Sequence, residues 1–184
     1  LCALAGSLFG QTVRVLSVSG EATIQMPGEA APRAVQKGDT IVVGTRIITG
    51  EGARVIITPL PGVNSIIAPK SDVVIERVSE TREPGAVGTL HSAVLDLRTG
   101  AVTTDLQKRE GVELDYGVRT ARGLAGARGT TYTIGVNLAG VQTVVVADGV
   151  ITLTLTDGRV ISLVPGQISI TRPDGTTQSV ASAV

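Results

Sequence analysis

Aromatic residues are nearly missing from this chain: Phe9, Tyr116 and Tyr132 are the whole set, and there is no Trp. Single-stranded nucleic acid therefore has no stacking platform here. Sixteen basic residues are balanced by sixteen acidic ones, so no excess of cation is available to neutralise a phosphate backbone and nucleic acid is excluded as a partner. The only cysteine is Cys2, which rules out an intramolecular disulfide or a cysteine metal cluster. One histidine, His91, leaves only carboxylates as further metal ligands. No Asp and Gly spacing of a calcium loop accompanies them, so neither a metal nor another cofactor is expected. His91 also has no Ser or Cys motif to serve as a base, and it reads as a polar loop residue. No long amphipathic helix can be traced.

What is present is the material of pleated strands. Val, Ile and Thr together supply 62 of 184 residues and Gly another 23, a composition that favours β-structure joined by tight turns. Turn signals punctuate the chain at Pro27-Gly28, Lys37-Gly38-Asp39, Gly50-Glu51-Gly52, Pro61-Gly62, Pro84-Gly85, Thr99-Gly100, Asp148-Gly149, Asp157-Gly158, Pro165-Gly166 and Asp174-Gly175. Strands are expected between them at 12–18, 22–26, 41–43, 46–49, 53–58, 64–68, 72–78, 93–98, 101–105, 113–120, 131–137, 142–147 and 151–155. In the last of these, Ile151, Leu153 and Leu155 alternate with Thr152, Thr154 and Thr156, which marks a half-buried strand. Asp157-Gly158 then reads as a two-residue hairpin turn returning through 160–164. The fold class is all-β, many short strands in a twisted solenoid-like or sandwich arrangement with no substantial helix.

One domain is expected over residues 11–171. Before it, "LCALAGSLFGQ" over residues 1–10 and just beyond is apolar and uncharged. It reads as the end of a signal peptide cut near Ser7 or Gly10, the end of a membrane helix, or a lipid-bearing Cys2 segment. All three place the domain outside the cytoplasm, periplasmic or secreted, with membrane proximity through the N-terminus. A loop is expected from Ser79 to Ser92, and a polar, fraying tail over 172–184.

The stretch "RTARGLAGARGTTY", residues 119–132, is the densest cluster of Arg and Gly. It fails as a phosphate loop, because Arg128 stands where the second glycine is needed and no lysine follows. It fails as a dinucleotide fingerprint because Gly123 is followed by Leu124 and Ala125. A backbone role remains: glycines for close strand approach, and Arg128 buried at a corner donating to unpaired carbonyls of two layers. On that reading the loss of Arg128 costs about 1–3 kcal/mol, and more than the loss of Arg122. The carboxylate pairs Asp96 with Asp105 and Glu113 with Asp115 are the available acid–base candidates, and solubilising edge charges are the competing reading. The balance favours a protein that is not an enzyme.

The order of motifs carries more than any single one. "VRVLSVSGEATIQ", "VQKGDTIVVGTRIITGEGARVIIT", "SDVVIERV", "LDLRTGAVTT", "YGVRTARGLAGARGTTYTIGV", "VVVADGVITLT" and "VISLVPGQISIT" follow one another from about residue 13 to 171. This succession resembles the FecR-like extracytoplasmic domain, with Gly38, Asp39, Thr49 and Gly50 in its central motif. Thr120, Arg128, Gly129, Thr130 and Tyr132 fall in its signature, and Gly149 and Gly166 in the closing hairpins. The chain departs from the pattern with Ala121 where proline is frequent, and with "TPLPGVNSIIAPKSDVVI" where relatives carry an Asp-Gly turn. The resemblance implies a bacterial, non-catalytic envelope module that binds a protein or an envelope polymer, those motif residues being structural. It also implies an alternative, the periplasmic part of an anti-sigma regulator relaying a signal from a TonB-dependent transducer.

Overall fold

The computed structural model describes residues 12–82, 88–107 and 112–181, and these contain strands and turns without a helix. The segment 1–10 and Cys2 lie outside the described residues. The first eight strands are β1 (Val13–Ser19), β2 (Ala22–Gln25), β3 (Arg33–Ala34), β4 (Thr40–Ile41), β5 (Arg46–Thr49), β6 (Arg54–Leu60), β7 (Val63–Ile67) and β8 (Asp72–Thr81). A long strand, β9 (Thr89–Leu106), is followed by β10 (Val112–Thr120), β11 (Gly123–Ala127), β12 (Thr131–Val136) and β13 (Gln142–Asp148). The last four are β14 (Ile151–Leu155), β15 (Val160–Leu163), β16 (Gln167–Thr171) and β17 (Thr177–Ala181).

Pairing sorts these strands into two layers that share β9. One layer runs β4-β1-β6-β7-β9-β12-β13-β16-β17, antiparallel throughout. The other runs β3-β2-β5-β8-β9-β10-β11-β14-β15, antiparallel except for the parallel β9–β10 pair. We call them layers A and B. Neither closes into a barrel, because each ends in a strand with one neighbour. The alternation read from the sequence is the reason the layers face one another. Ile151, Leu153 and Leu155 are buried while Thr152 and Thr154 are exposed, and β7, β12 and β13 alternate in the same way. The inward side chains form one core that includes Ile24, Ile47, Ile57, Ile75, Leu95, Ile134 and Leu153, each worth about 1.5–3 kcal/mol of burial.

The pivot is β9. Its first half pairs with β8 and β10 in layer B, and its second half with β7 and β12 in layer A. The two halves face each other across the core: Tyr116 pairs with Ala93 of the first half and hydrogen-bonds Thr104 of the second. The strand turns at Gly100, where φ is +91° and an added Cβ would stand 2.1 Å from Ser71 Oγ, so neither the backbone nor the space admits a side chain. From β9 the chain builds outward on both sides, and beyond it the hairpins β10–β11, β12–β13, β14–β15 and β16–β17 alternate between the layers.

Five expectations need correction. The strands expected at 93–98 and 101–105 are one strand, because the Thr99-Gly100 signal bends the pleat without ending it. That strand and β8 also take up half of the expected 79–92 loop, of which 83–87 lie outside the described residues. Residues 123–127, between the expected strands 113–120 and 131–137, form a further strand between β10 and β14 whose inward side chains are alanines. Part of the tail expected to fray is paired: residues 177–181 form a strand against β16. The Asp157-Gly158 turn is a three-residue loop, with Leu155 N donating to Arg159 O at 2.8 Å and only Gly158 at positive φ, the geometry of a type I turn followed by a bulge.

Candidate interaction surfaces

Most of the motif residues lie at junctions where the chain passes between layers. Asp39 accepts from Arg33 Nη1 at 2.9 Å and from the Gln36 backbone N–H at 2.8 Å, and the hydrogen bond from the Arg33 guanidinium is the main cause that holds its carboxyl below the usual range. Gly38 N donates to Val15 O and Val15 N to Asp39 O, both at 2.9 Å, so this turn clamps β1. Buried Thr49 donates its hydroxyl to Ala68 O at 2.7 Å and accepts from Ser71 N at 2.9 Å, while Gly50 N donates to Glu21 O at 2.8 Å. Thr120 donates its hydroxyl to Gln142 Oε1 across the layers and accepts from Arg122 N at 2.9 Å. Gly166 N donates to Val146 O at 3.3 Å.

Two motifs far apart in sequence meet in space. An added Cβ at Gly149, where φ is +79°, would lie 2.5 Å from Thr130 Cγ2 and 2.6 Å from Gly129 O. The Arg-Gly-Thr and Asp-Gly signals are thus two halves of one close contact. Both tyrosines are fully buried and bridge the layers. Tyr116 OH hydrogen-bonds Ser65 Oγ at 2.8 Å and Thr104 Oγ1 at 3.1 Å, and burial pushes its phenol up to about 12 against the opposing pull of those two bonds. Tyr132 donates to Ala125 O at 3.5 Å and is raised well above its ordinary value by burial. Ser65 and Thr104 were not legible as partners, because nothing local in the sequence brings β7 and β10 together.

Arg128 is exposed, which corrects the expectation of a buried corner arginine. Its guanidinium has no partner among the described residues and stands over a shallow cleft of about 330 Å³ beside Leu90, Leu114 and Asp115. The inter-layer donor is Arg122, half-buried, with Nε on Gly140 O at 3.3 Å and Nη1 on Pro173 O at 3.0 Å. A sharp turn at Gly129 sends the Arg128 side chain outward, while the turn at 121–122 lays Arg122 against two later loops.

The acid–base candidates do not form a centre. Asp96 and Asp105 sit on the outer faces of opposite layers, Asp96 near Arg98 Nε at 3.5 Å and Asp105 accepting from Thr131 Oγ1 at 3.0 Å. Asp115 accepts from Arg77 Nη2 at 3.4 Å and Ser92 Oγ at 3.0 Å, and Glu113 stands exposed on the same strand. His91 lies 3.7 Å from Glu80. No group of three metal-ligating side chains occurs among the described residues.

The outer faces differ in chemistry. Layer B carries ion pairs: Arg46 with Asp72 through bonds of 2.8 and 2.7 Å, Arg119 with Glu76 through bonds of 3.0 and 2.8 Å, and the Arg77–Asp115 and Arg98–Asp96 contacts. Layer A carries an uncharged row. The ends differ too. At the N-terminal end the edge strands β3 and β4 have two residues each, flanked by Arg33, Lys37 and Asp39. At the other end β15 and β17 are longer edges without charge or proline, Val160 and Val180 standing exposed. Short charged edges resist pairing with another chain, and longer uncharged ones invite it.

No family model matches the chain, and no curated protein matches it in sequence. The fold does have a solved counterpart. Two crystal structures of a protein from Parabacteroides distasonis ATCC 8503, described as a "putative anti-sigma factor", share it with TM-scores of 0.56 and 0.57 at 14% identity. The likeness covers 74% of this chain and 59% of those chains.

Proposed function

We propose that this chain is a non-catalytic signal-relay module of the bacterial envelope, a FecR-like domain of the anti-sigma regulator kind that works by binding protein. The observation that carries the reading is the coincidence of motif order with fold. Most of the residues by which the sequence resembles the FecR-like domain, Arg128 excepted, help to join the two layers of a sandwich shared with a protein described as an anti-sigma factor. Asp96 and Asp105 lie on the outer faces of opposite layers and Asp115 is engaged by Arg77 and Ser92, an arrangement that supports a role without catalysis. Strand addition at the uncharged β15 and β17 edges is the mode of contact that the geometry favours, with main-chain bonds supplying affinity. The transducer side of such a relay would meet these edges in the periplasm.

The test is genetic and biochemical. Deleting the gene should change transcription from the promoters of one alternative sigma factor, and full-length protein lacking β17 should fail to restore it. An unchanged transcriptome would discard the regulator reading. The stand-alone envelope-binding reading would then be tested by cross-linking in living cells. Absence of any envelope adduct would remove it as well.

A further inference from the structure

The outer face of layer A holds a straight row of side chains that no ion pair interrupts. The registers place Ile56 beside Ile66, Ile66 beside Thr103, Thr103 beside Thr133, Thr133 beside Val145, Val145 beside Ile168 and Ile168 beside Val180. Six of these side chains are half-buried among their neighbours and Val180 is exposed. Every one is β-branched, and Thr103 and Thr133 hydrogen-bond to each other at 2.9 Å. Beside this row runs a second, Ala101, Gly135, Thr143, Ile170 and Gln178, also without charge. Solvated faces of antiparallel sheets ordinarily alternate to polar and charged residues, as layer B does here.

We propose that this face is the contact between two copies of the chain, packed layer A to layer A. The row is self-complementary. A two-fold axis lying in the contact plane along β12 sets Thr133 against its own copy, Thr103 against Val145, Ile66 against Ile168 and Ile56 against Val180. Apolar ends meet apolar ends, threonines sit at the centre, and the row itself brings no charge to the contact. A face with the ion pairs of layer B could not be brought against itself without desolvating them.

The dimensions fit a reversible dimer. Seven strands at about 4.8 Å spacing extend the row roughly 29 Å, and two to three outward residues per strand give a width of roughly 14–20 Å. That is about 400–600 Å² per copy, the low end of specific interfaces. An axis along β12 keeps the strands of the two copies aligned, and Thr103, Thr133 and Val145 lie nearest it.

Sedimentation of the purified protein over a concentration series tests this. The wild type is expected to convert from monomer to dimer in the range of about 1–100 μM. Thr133→Lys, which places two like charges across the axis, should weaken the dimer at least tenfold while the circular dichroism spectrum is unchanged. If that variant does not fold, Val145→Lys takes its place. Arg119→Glu on the layer B face should leave association as in the wild type. Ile66→Lys and Ile168→Glu should each be monomeric alone and form a heterodimer when mixed, because the axis sets position 66 against position 168. A wild type that stays monomeric to about 1 mM, a dimer indifferent to Thr133→Lys, or a mixture that does not recover association would each overturn the proposal. None of these outcomes depends on whether the protein regulates a sigma factor.

Discussion

Tyr116 on layer B and Ser65 on layer A share a hydrogen bond of 2.8 Å in the dry centre of the sandwich. It links β10 directly to the N-terminal half of layer A. Tyr116→Phe should therefore lower stability by about 1 kcal/mol, since Ser65 Oγ and Thr104 Oγ1 are 3.4 Å apart and can turn to each other. Ser65→Val should cost more, because it leaves the buried phenol only its 3.1 Å bond to Thr104. Denaturant midpoints of the two single variants and the double variant measure the coupling. Additive effects would show that the bond contributes nothing beyond its parts.

The same burial sets an alkaline limit. The chain has two tyrosines, both fully buried with raised pKa values. A phenol raised from about 10 when unfolded to about 12 when folded contributes stability that is complete below pH 10. That contribution is lost as pH climbs toward 12. Tyrosinate absorbance should consequently appear together with the loss of β circular dichroism, with no earlier phase. Ionisation preceding unfolding would mean that a phenol is accessible to solvent.

Gly149 and Gly158 both have positive φ, +79° and +87°, but only Gly149 has atoms where a Cβ would go. Gly158→Ala should cost about 1–2 kcal/mol of left-handed backbone strain. Gly149→Ala adds a clash with the Gly129 carbonyl and the Thr130 methyl, and should lower the thermal midpoint well beyond that. Equal midpoints would show that the β13–β14 turn shifts freely away from Gly129–Thr130.

Arg122→Ala should destabilise by about 0.5–1.5 kcal/mol, through loss of its bonds to the Gly140 and Pro173 carbonyls. Arg128→Ala should fall within about 0.5 kcal/mol of the wild type, as exposed side chains without partners do. Thermal melts of both variants give the order directly. A larger effect at Arg128 would place its guanidinium in a buried contact after all.

Much of the fold was legible, because the information is local. Alternation of Ile, Val and Leu with Thr marks which side of each strand is buried, and the Gly turns mark where strands end. β11 was missed because its inward residues are Gly123, Ala125 and Ala127, too small to register as a hydrophobic stripe. β17 was missed because both faces of Thr177–Ala181 are polar or exposed, so no alternation exists to read. Arg128 was misassigned for a related reason: sequence shows that a turn is near, but the direction in which a side chain leaves it depends on the layers around it.

By itself the sequence determined the fold class, the absence of a cysteine or histidine centre, and the residues that make the turns, since each follows from side-chain type and spacing along the chain. Only the tertiary structure decided which distant segments touch. It placed Gly149 against Thr130, set Tyr116 between Ser65 and Thr104, sent Asp96 and Asp105 to opposite faces, and aligned Ile56, Ile66, Thr103, Thr133, Val145, Ile168 and Val180 in one row. The physical reason is register. A strand's own residues fix which of its faces is apolar, but its neighbours and its offset against them are selected when two layers close over a common core.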